Sequence, residues 1–307
     1  MKPTLQDIRF DPILSNLSVA YKNEAYIAEQ ICPVVKVKTA TGKYFSYDTA
    51  KFRRVISLRG MGASAKEVDY GVSQSTAYVI KEHALKQIVP DELVEQAPRP
   101  LDPEMDATEN VTERILVEKE YDLATYMKNT SNLTNNTTLS GTDQWSDYTN
   151  SDPIGDIKTG KAAIHSKIFR DPNVLVLGKQ VYDKLLDHPD IIDRIKYSAL
   201  GAATPDLLAR IFDIPKVIVA AAGYESANEG QTSSMAYIWG KYAWLLYVAP
   251  RPTTRSLTFG YHLTDKPRVV DKWYDKDRKG TFVRVTDRYT REIVSVNCAY
   301  LIKNAVA

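Results

Sequence analysis

The sequence predicts an α+β protein whose leading third reaches outward and whose remainder closes into a compact body. Three observations carry this expectation. The segments up to Lys128 are β-patterned or amphipathic, and none has an obvious partner within its own stretch to cover its apolar face. A helix-start signature at Asp102-Pro103-Glu104 opens a single long charged helix. From Asn173 onward, short apolar strands alternate with short helices. A segment that cannot bury apolar surface at home must bury it elsewhere on the chain or on another molecule, because ordering each residue costs about 1–2 kcal/mol. Arms of this kind point to an assembly subunit before an enzyme, with adjoining copies expected to clothe the leading third.

Residues 1–32 read as an arm. Short apolar clusters (Ile8, Phe10, Ile13, Leu14, Leu17) alternate with polar ones, and Tyr21–Gln30 has helical character but is too short to stand alone. Pro33 opens the period-two run Val34–Lys38, and Thr41-Gly42 turns into Tyr44–Tyr47. A further β-patterned segment, Phe52–Leu58, carries Arg53 and Arg54 and ends at Arg59-Gly60-Met61-Gly62. The chain returns through Glu67–Tyr70 to Ala77–Ile80, giving hairpins that are marginal alone. The helix 102–128 shows a narrow stripe of Val111, Ile115, Leu123 and Met127 and should lie across a surface. Asn129–Asn150 reads as a polar loop. A second helix starts at Asp152-Pro153 and runs to about Ile168. The compact part follows: strand Val174–Leu177, helix Lys179–Asp187 stopped by Pro189, and a helix capped by Thr204 with Pro205. Strand Val217–Ala222, a long aromatic strand Tyr237–Val248, strands Val269–Tyr274 and Thr281–Thr286 about a turn, and a closing segment Ile293–Ile302 complete it.

Composition narrows the function. The chain has 307 residues, 44% hydrophobic and 25% charged, which is ordinary for a globular protein. Nothing approaches the roughly 18 consecutive apolar residues of a membrane span, so no membrane partner is expected. Met1-Lys2-Pro3-Thr4 has no signal-peptide core, so synthesis in the cytosol is the expectation. Cys32 and Cys298, far apart and outside any CxxC or Cys/His spacing, read as reduced packing residues. Four Asn-x-Ser/Thr sequons crowd Asn129–Thr138 and read as loop polarity. Net charge is +2 without a Lys/Arg block, which argues against tight, direct nucleic-acid binding.

The near-motifs do not survive their chemistry. Gly155–Lys161 fits GxxxxGK, but Ala162 lacks the hydroxyl that holds magnesium, and a helix starts where a strand is needed. Gly60-x-Gly62-x-x-Ala65 imitates a dinucleotide fingerprint but leaves too little room for its helix. Asp271, Asp275 and Asp277 with Gly280 faintly match a calcium loop, yet Lys272, Lys276, Arg278 and Lys279 would repel the cation. His83, His165, His188 and His262 are scattered, and no GxSxG or HExxH exists. The aromatic strand reads as core or interface packing ahead of base stacking. No catalytic, cofactor-binding or metal-ligating residues are assigned.

Several stretches, taken in order, then carry a resemblance: Tyr26–Pro33, Gly42-Lys43-Tyr44 with Tyr47-Asp48, Val68-Asp69-Tyr70, Trp145-Ser146-Asp147 with Ser151-Asp152-Pro153, Pro172-Asn173 with His188-Pro189, and Ile238-Trp239-Gly240. The chain resembles the major capsid proteins of tailed bacteriophages, which share the HK97-like fold. The resemblance implies an N-terminal arm (1–32), an extended β-hairpin E-loop (33–82), a P-domain (83–170) holding the spine helix 102–128, an A-domain (171–250) and P-domain return strands (251–307). It implies hexamers and pentamers tiling an icosahedral shell around double-stranded DNA, assembled in the host cytoplasm and located in the virion. Partners would be further copies, a portal, a separate scaffolding protein (the arm leads quickly into the E-loop) and a possible decoration protein. No cofactor is implied. An E-loop lying over a neighbour would bring Arg53, Arg54 and Arg59 within reach of that neighbour's acids, with Glu109, Glu113 and Glu120 of the spine helix as candidates. Lys51, Lys66 and Asn297 are present, but no motif licenses the Lys–Asn cross-link of the prototype. An enzyme-cargo nanocompartment shell of the encapsulin type is the alternative, with protein as cargo; a hydrolase or nucleotide-binding enzyme is the third reading.

Overall fold

The computed structural model describes residues 9–10, 26–47, 54–55, 57–67, 72–96, 102–195, 204–228, 230–253 and 256–307. Its organising element is one long helix lying across two cores. In chain order, β1 (Arg9–Phe10), helix α1 (Ala28–Ile31), β2 (Val34–Lys36), β3 (Thr41–Tyr47), β4 (Val72–Val79), β5 (Lys81–Pro90) and α2 (Asp91–Gln96) lead to helix α3 (Pro103–Lys128). The start of α3 is fixed locally. The Asp102 carboxylate accepts from the backbone N–H groups of Glu104 (3.0 Å) and Met105 (3.3 Å), and Pro103 supplies the fixed φ of the first turn. At 26 residues it spans about 39 Å.

Each half of α3 serves a different core. Ala107, Val111 and Ile115 pack with Val89, Val270, Val283 and Val285. Leu123, Ala124 and Met127 belong to the main core, together with Trp145, Trp239 and Trp244. Rigid coupling of two cores by one helix is what makes it a spine.

The first core is backed by a six-stranded sheet built on β14 (Gly280–Ile293). One edge of β14 pairs with β5 along its length from Gly280 to Tyr289. Its other edge is shared: β13 (Val269–Asp275) takes the first half and β12 (Gly260–Thr264) the second. Strand β2 adds parallel to β12, and β1 adds antiparallel to β13.

The second sheet runs β6 (Asn136–Thr138), β15 (Ala299–Lys303), β11 (Ala243–Leu246), β7 (Val174–Gly178) and β8 (Lys216–Ala220). Every residue of β7 and β11 is buried, as expected for strands covered on both faces. Helix α4 (Pro153–Ile168) lies on it so closely that a Cβ at Gly160 would stand 2.3 Å from a Leu245 methyl, so any larger residue would have to push Leu245 and Tyr300 aside. Helices α5 (Lys179–Leu186), α6 (Pro189–Ile195) and α7 (Pro205–Phe212) complete this half. Thr204 caps α7 through Leu207 N–H at 3.3 Å.

Four expectations are corrected. The aromatic strand Tyr237–Val248 is broken: Gly240 takes φ +61°, so β10 (Met235–Tyr237) hairpins with β9 (Gly223–Glu225) while β11 runs through the sheet. The closing segment Ile293–Ile302 is also broken, because β14 ends at Ile293 and β15 crosses into the second sheet. Phe52–Leu58 forms no strand at 54–55 and 57–58, and its other residues lie outside the described ones. Finally, the end of the arm is clothed by its own chain. Ile27, Ala28, Ile31 and Cys32 are at most 3% exposed and sit in the main core. Short apolar side chains on one turn of helix suffice to seat it there.

Candidate functional site

Two regions stand out: the junction where the arm meets the spine, and the loop at the end of the β3–β4 hairpin.

The junction is built on Glu120. The buried stripe of α3 passes Val111 and Ile115 above and Leu123 and Met127 below, so helical spacing turns Lys119 and Glu120 inward between them. Both are buried, Glu120 completely. One Glu120 oxygen accepts from Trp239 Nε1 at 2.6 Å and from Ile27 N–H at 3.0 Å; the other accepts from Ala28 N–H at 2.8 Å. Helix α1 has no side-chain cap of its own. The spine therefore supplies the acceptor that its first N–H groups lack, a cap delivered from 92 residues away in the chain. Burial pushes the Glu120 carboxyl above the ordinary glutamate range, and the donors oppose this without overcoming it.

Neighbouring groups tighten the seat. The Lys119 ammonium bonds Glu29 at 2.7 Å and lies 4.9 Å over the Tyr289 ring. Tyr26 donates its hydroxyl to Glu113. His262 donates from Nδ1 to the Cys32 carbonyl at 2.9 Å, and its backbone N–H donates to Pro33 O at 3.1 Å. Burial, then the charge of Lys119, depresses the His262 imidazole to about 3, so the ring is neutral. A cavity of about 850 Å³ opens beside the junction; the ion pairs Lys119–Glu29 and Arg268–Asp287 line it, together with Lys36 and Lys266.

The hairpin is anchored at its root and bare at its end. Tyr78 and Ile80 pack with Tyr261, Leu263 and Val294, and Ile80 N–H donates to Ala40 O at 2.9 Å. Strands β3 and β4 pair from Thr41↔Val79 to Tyr47↔Val72. Beyond them the described loop residues are exposed throughout: Val55 at 44%, Leu58 at 86% and Met61 fully. Arg54 is exposed, and Arg59 donates from Nε to the Ala63 carbonyl, which folds the tip on itself. A cluster of large apolar side chains beside arginines is the composition of an interface core.

The predicted contact residues thus part company. Arg54 and Arg59 stand on the exposed tip, Arg53 lies outside the described residues, and Glu109 is half-buried on the spine. Glu113 is half-buried and holds Tyr26. Glu120 faces inward with both oxygens engaged, which removes it from the rim and makes it the cap of the arm. Its position between two apolar turns of the stripe was the signal for this.

The near-motifs find structural uses. Gly155–Lys161 lies inside α4, and Lys161 Nζ caps the end of α7 through Asp213 O at 2.7 Å and the Asp213 carboxylate at 2.9 Å. Gly60 and Gly62 lie in the exposed tip, with no helix over 63–67. Asp275 accepts from Asp277 N–H in a turn, and Asp271 pairs with Arg284 at 2.6 Å. Among the described residues no His/Cys/Asp/Glu group is arranged to hold a metal ion. Cys32 and Cys298 are free thiols in the core. Within the sequon stretch, Asn135 is buried and donates to Ala299 O, so part of that loop is interior.

A spine helix over two cores, a projecting hairpin and a docked arm define a shell subunit of the HK97-like α+β class. The capsid protein of Cyanophage P-SCSP1u shares this fold, with a TM-score of 0.61 over 92% of this chain and 89% of that one at 9% identity. A phage-related protein from Bordetella bronchiseptica RB50 matches at a TM-score of 0.78 and 26% identity, over 96% of this chain and 97% of that one. The major capsid protein of Burkholderia phage BcepMu is 31% identical over 95% of both chains. The family model described as phage major capsid protein E matches residues 104–286. The chain belongs to that family of phage major capsid proteins.

Proposed function

We propose that copies of this chain assemble as hexamers and pentamers into the icosahedral head of a tailed phage, formed in the host cytoplasm around double-stranded DNA. The observation that carries this reading is the contrast between a hairpin root held in the core and a tip that leaves Val55, Leu58 and Met61 in water. The tip is covered when it lies on an adjacent subunit. Arg54 and Arg59, with Arg53 beside them in sequence, then meet acids of the neighbour's spine helix, Glu109 first and Glu113 second. Such rim pairs set register more than strength. Many weak contacts per subunit close the shell through multivalency.

In this reading residues 1–32, 33–82, 83–170, 171–250 and 251–307 act as arm, E-loop, P-domain, A-domain and return strands, with β15 reaching back to the A-domain sheet. The role is structural and calls for no cofactor. A net charge of +2 suits a container whose DNA must later leave. A portal, a separate scaffolding protein and a decoration protein are the expected partners. No helix among the described residues is long and apolar enough to cross a membrane.

Negative-stain microscopy of the protein expressed with its genomic neighbours tests the reading. Closed particles containing double-stranded DNA are expected, and Leu58→Asp/Met61→Asp should abolish them. Particles filled with protein cargo would turn the reading to a nanocompartment; a monodisperse monomer under all conditions would end it.

A further inference from the structure

Ion pairs that close within the chain lace the six-stranded sheet: Arg284 with Asp271, Lys272 with Glu104, Arg268 with Asp287 and Arg288 with Asp265. The far end of the sheet differs. The β13–β14 turn exposes Lys276, Arg278 and Lys279. Beside it, helix α2 exposes Glu92 and Glu95 around Leu93 (54%) and Val94 (49%). The two elements are fastened to each other: Asp91 N–H donates to Lys279 O at 3.0 Å, and the Tyr274 hydroxyl donates to the Asp91 carboxylate at 2.6 Å. Yet among the described residues no ion pair joins Lys276 or Lys279 to Glu92 or Glu95. Helix α2 buries none of its residues, and six residues are too few to hold a helix by backbone bonds alone.

We propose that this end of the sheet is a second contact between copies, in which the basic turn of one copy seats on the acid-and-apolar helix α2 of the next. The proposal rests on the shell-subunit reading and deepens it. Charge complementarity selects the occupant. One patch carries cations on one element and acids on its neighbour, so a head-to-tail match satisfies both signs and covers Leu93 and Val94. Contacts of that kind repeat around a ring or across a lattice. Nucleic acid is a poorer match, because Glu92 and Glu95 would face its phosphates.

Charge exchange tests it. Lys276→Glu/Lys279→Glu and Glu92→Lys/Glu95→Lys are compared with the variant carrying all four changes. Assembly is followed by light scattering and particle counts, and folding by the unfolding midpoint. Each double variant should keep the wild-type midpoint and assemble about tenfold more slowly at low salt, and the fourfold variant should recover most of the loss. Double variants that assemble at the wild-type rate, or a fourfold variant as slow as either double, would overturn the contact while leaving the shell reading intact. Wild-type protein that forms no particles would sink the shell reading, and this contact with it.

Discussion

At the foot of the arm, Glu120 gathers three donors while fully buried; at the end of the hairpin, Leu58 and Met61 stand in water. Both regions lie in the stretch up to Lys128, the part whose sequence shows no partner of its own. The first is completed by the chain itself and the second is not. Buried polar groups with every bond made fix one geometry, whereas exposed apolar side chains gain only when something covers them. The difference separates what aims the hairpin from what the hairpin grips. Substitutions at the junction should therefore act on folding, and substitutions at the tip on assembly.

The largest effect on stability is expected for Glu120→Ala, which leaves Ile27 N–H, Ala28 N–H and Trp239 Nε1 buried without an acceptor. A loss of about 3 kcal/mol or more in denaturant unfolding should follow. Glu120→Gln retains one acceptor oxygen and no charge and should cost less. Equal costs for the two would show that the carboxylate does not cap the arm.

Acid comes next. His262 is depressed from 6.5 to about 3 in the folded chain, so between those values the unfolded chain binds a proton that the folded chain does not. The stability this group provides is full above pH 6.5 and is lost as pH falls toward 3, where the loss levels off. His262→Gln should flatten that part of the pH–stability curve, as unfolding midpoints measured at intervals of pH would reveal.

A smaller change awaits Lys161→Ala, which uncaps α7 and should cost about 1 kcal/mol; calorimetry with ATP should show no binding to either protein. Smallest of all for stability is Leu58→Ser/Met61→Ser, expected within about 0.5 kcal/mol of wild type. The same variant should lose particles by electron microscopy. A tip variant that lowers the unfolding midpoint yet assembles at the wild-type yield would reverse the comparison.

Much of the fold was legible because its signals are local. Asp102-Pro103, Asp152-Pro153 and Thr204-Pro205 each start a helix, since cap and first turn need only adjacent residues. The turn between β13 and β14 was likewise readable from Asp277–Gly280. What failed depends on distant partners. Tyr237–Val248 has the composition of one strand, and only the backbone at Gly240 divides it. Nothing within Ala299–Lys303 says that it pairs with residues 136–138 and 243–246. Glu120 reads as a rim acid by charge alone, whereas its place on the inner face of the helix makes it a buried cap. The exposed arginines were legible; the apolar side chains beside them, at Val55, Leu58 and Met61, carry the stronger physical argument.

The place of β15 between β6 and β11 has a consequence for timing. A ribosome delivers residues 299–303 long after the strands they join, so during synthesis β11 keeps one edge open and the layer behind the spine stays unfinished. Nascent subunits should remain protease-sensitive in that half until Lys303 has cleared the exit tunnel, which keeps half-made tiles out of a growing lattice.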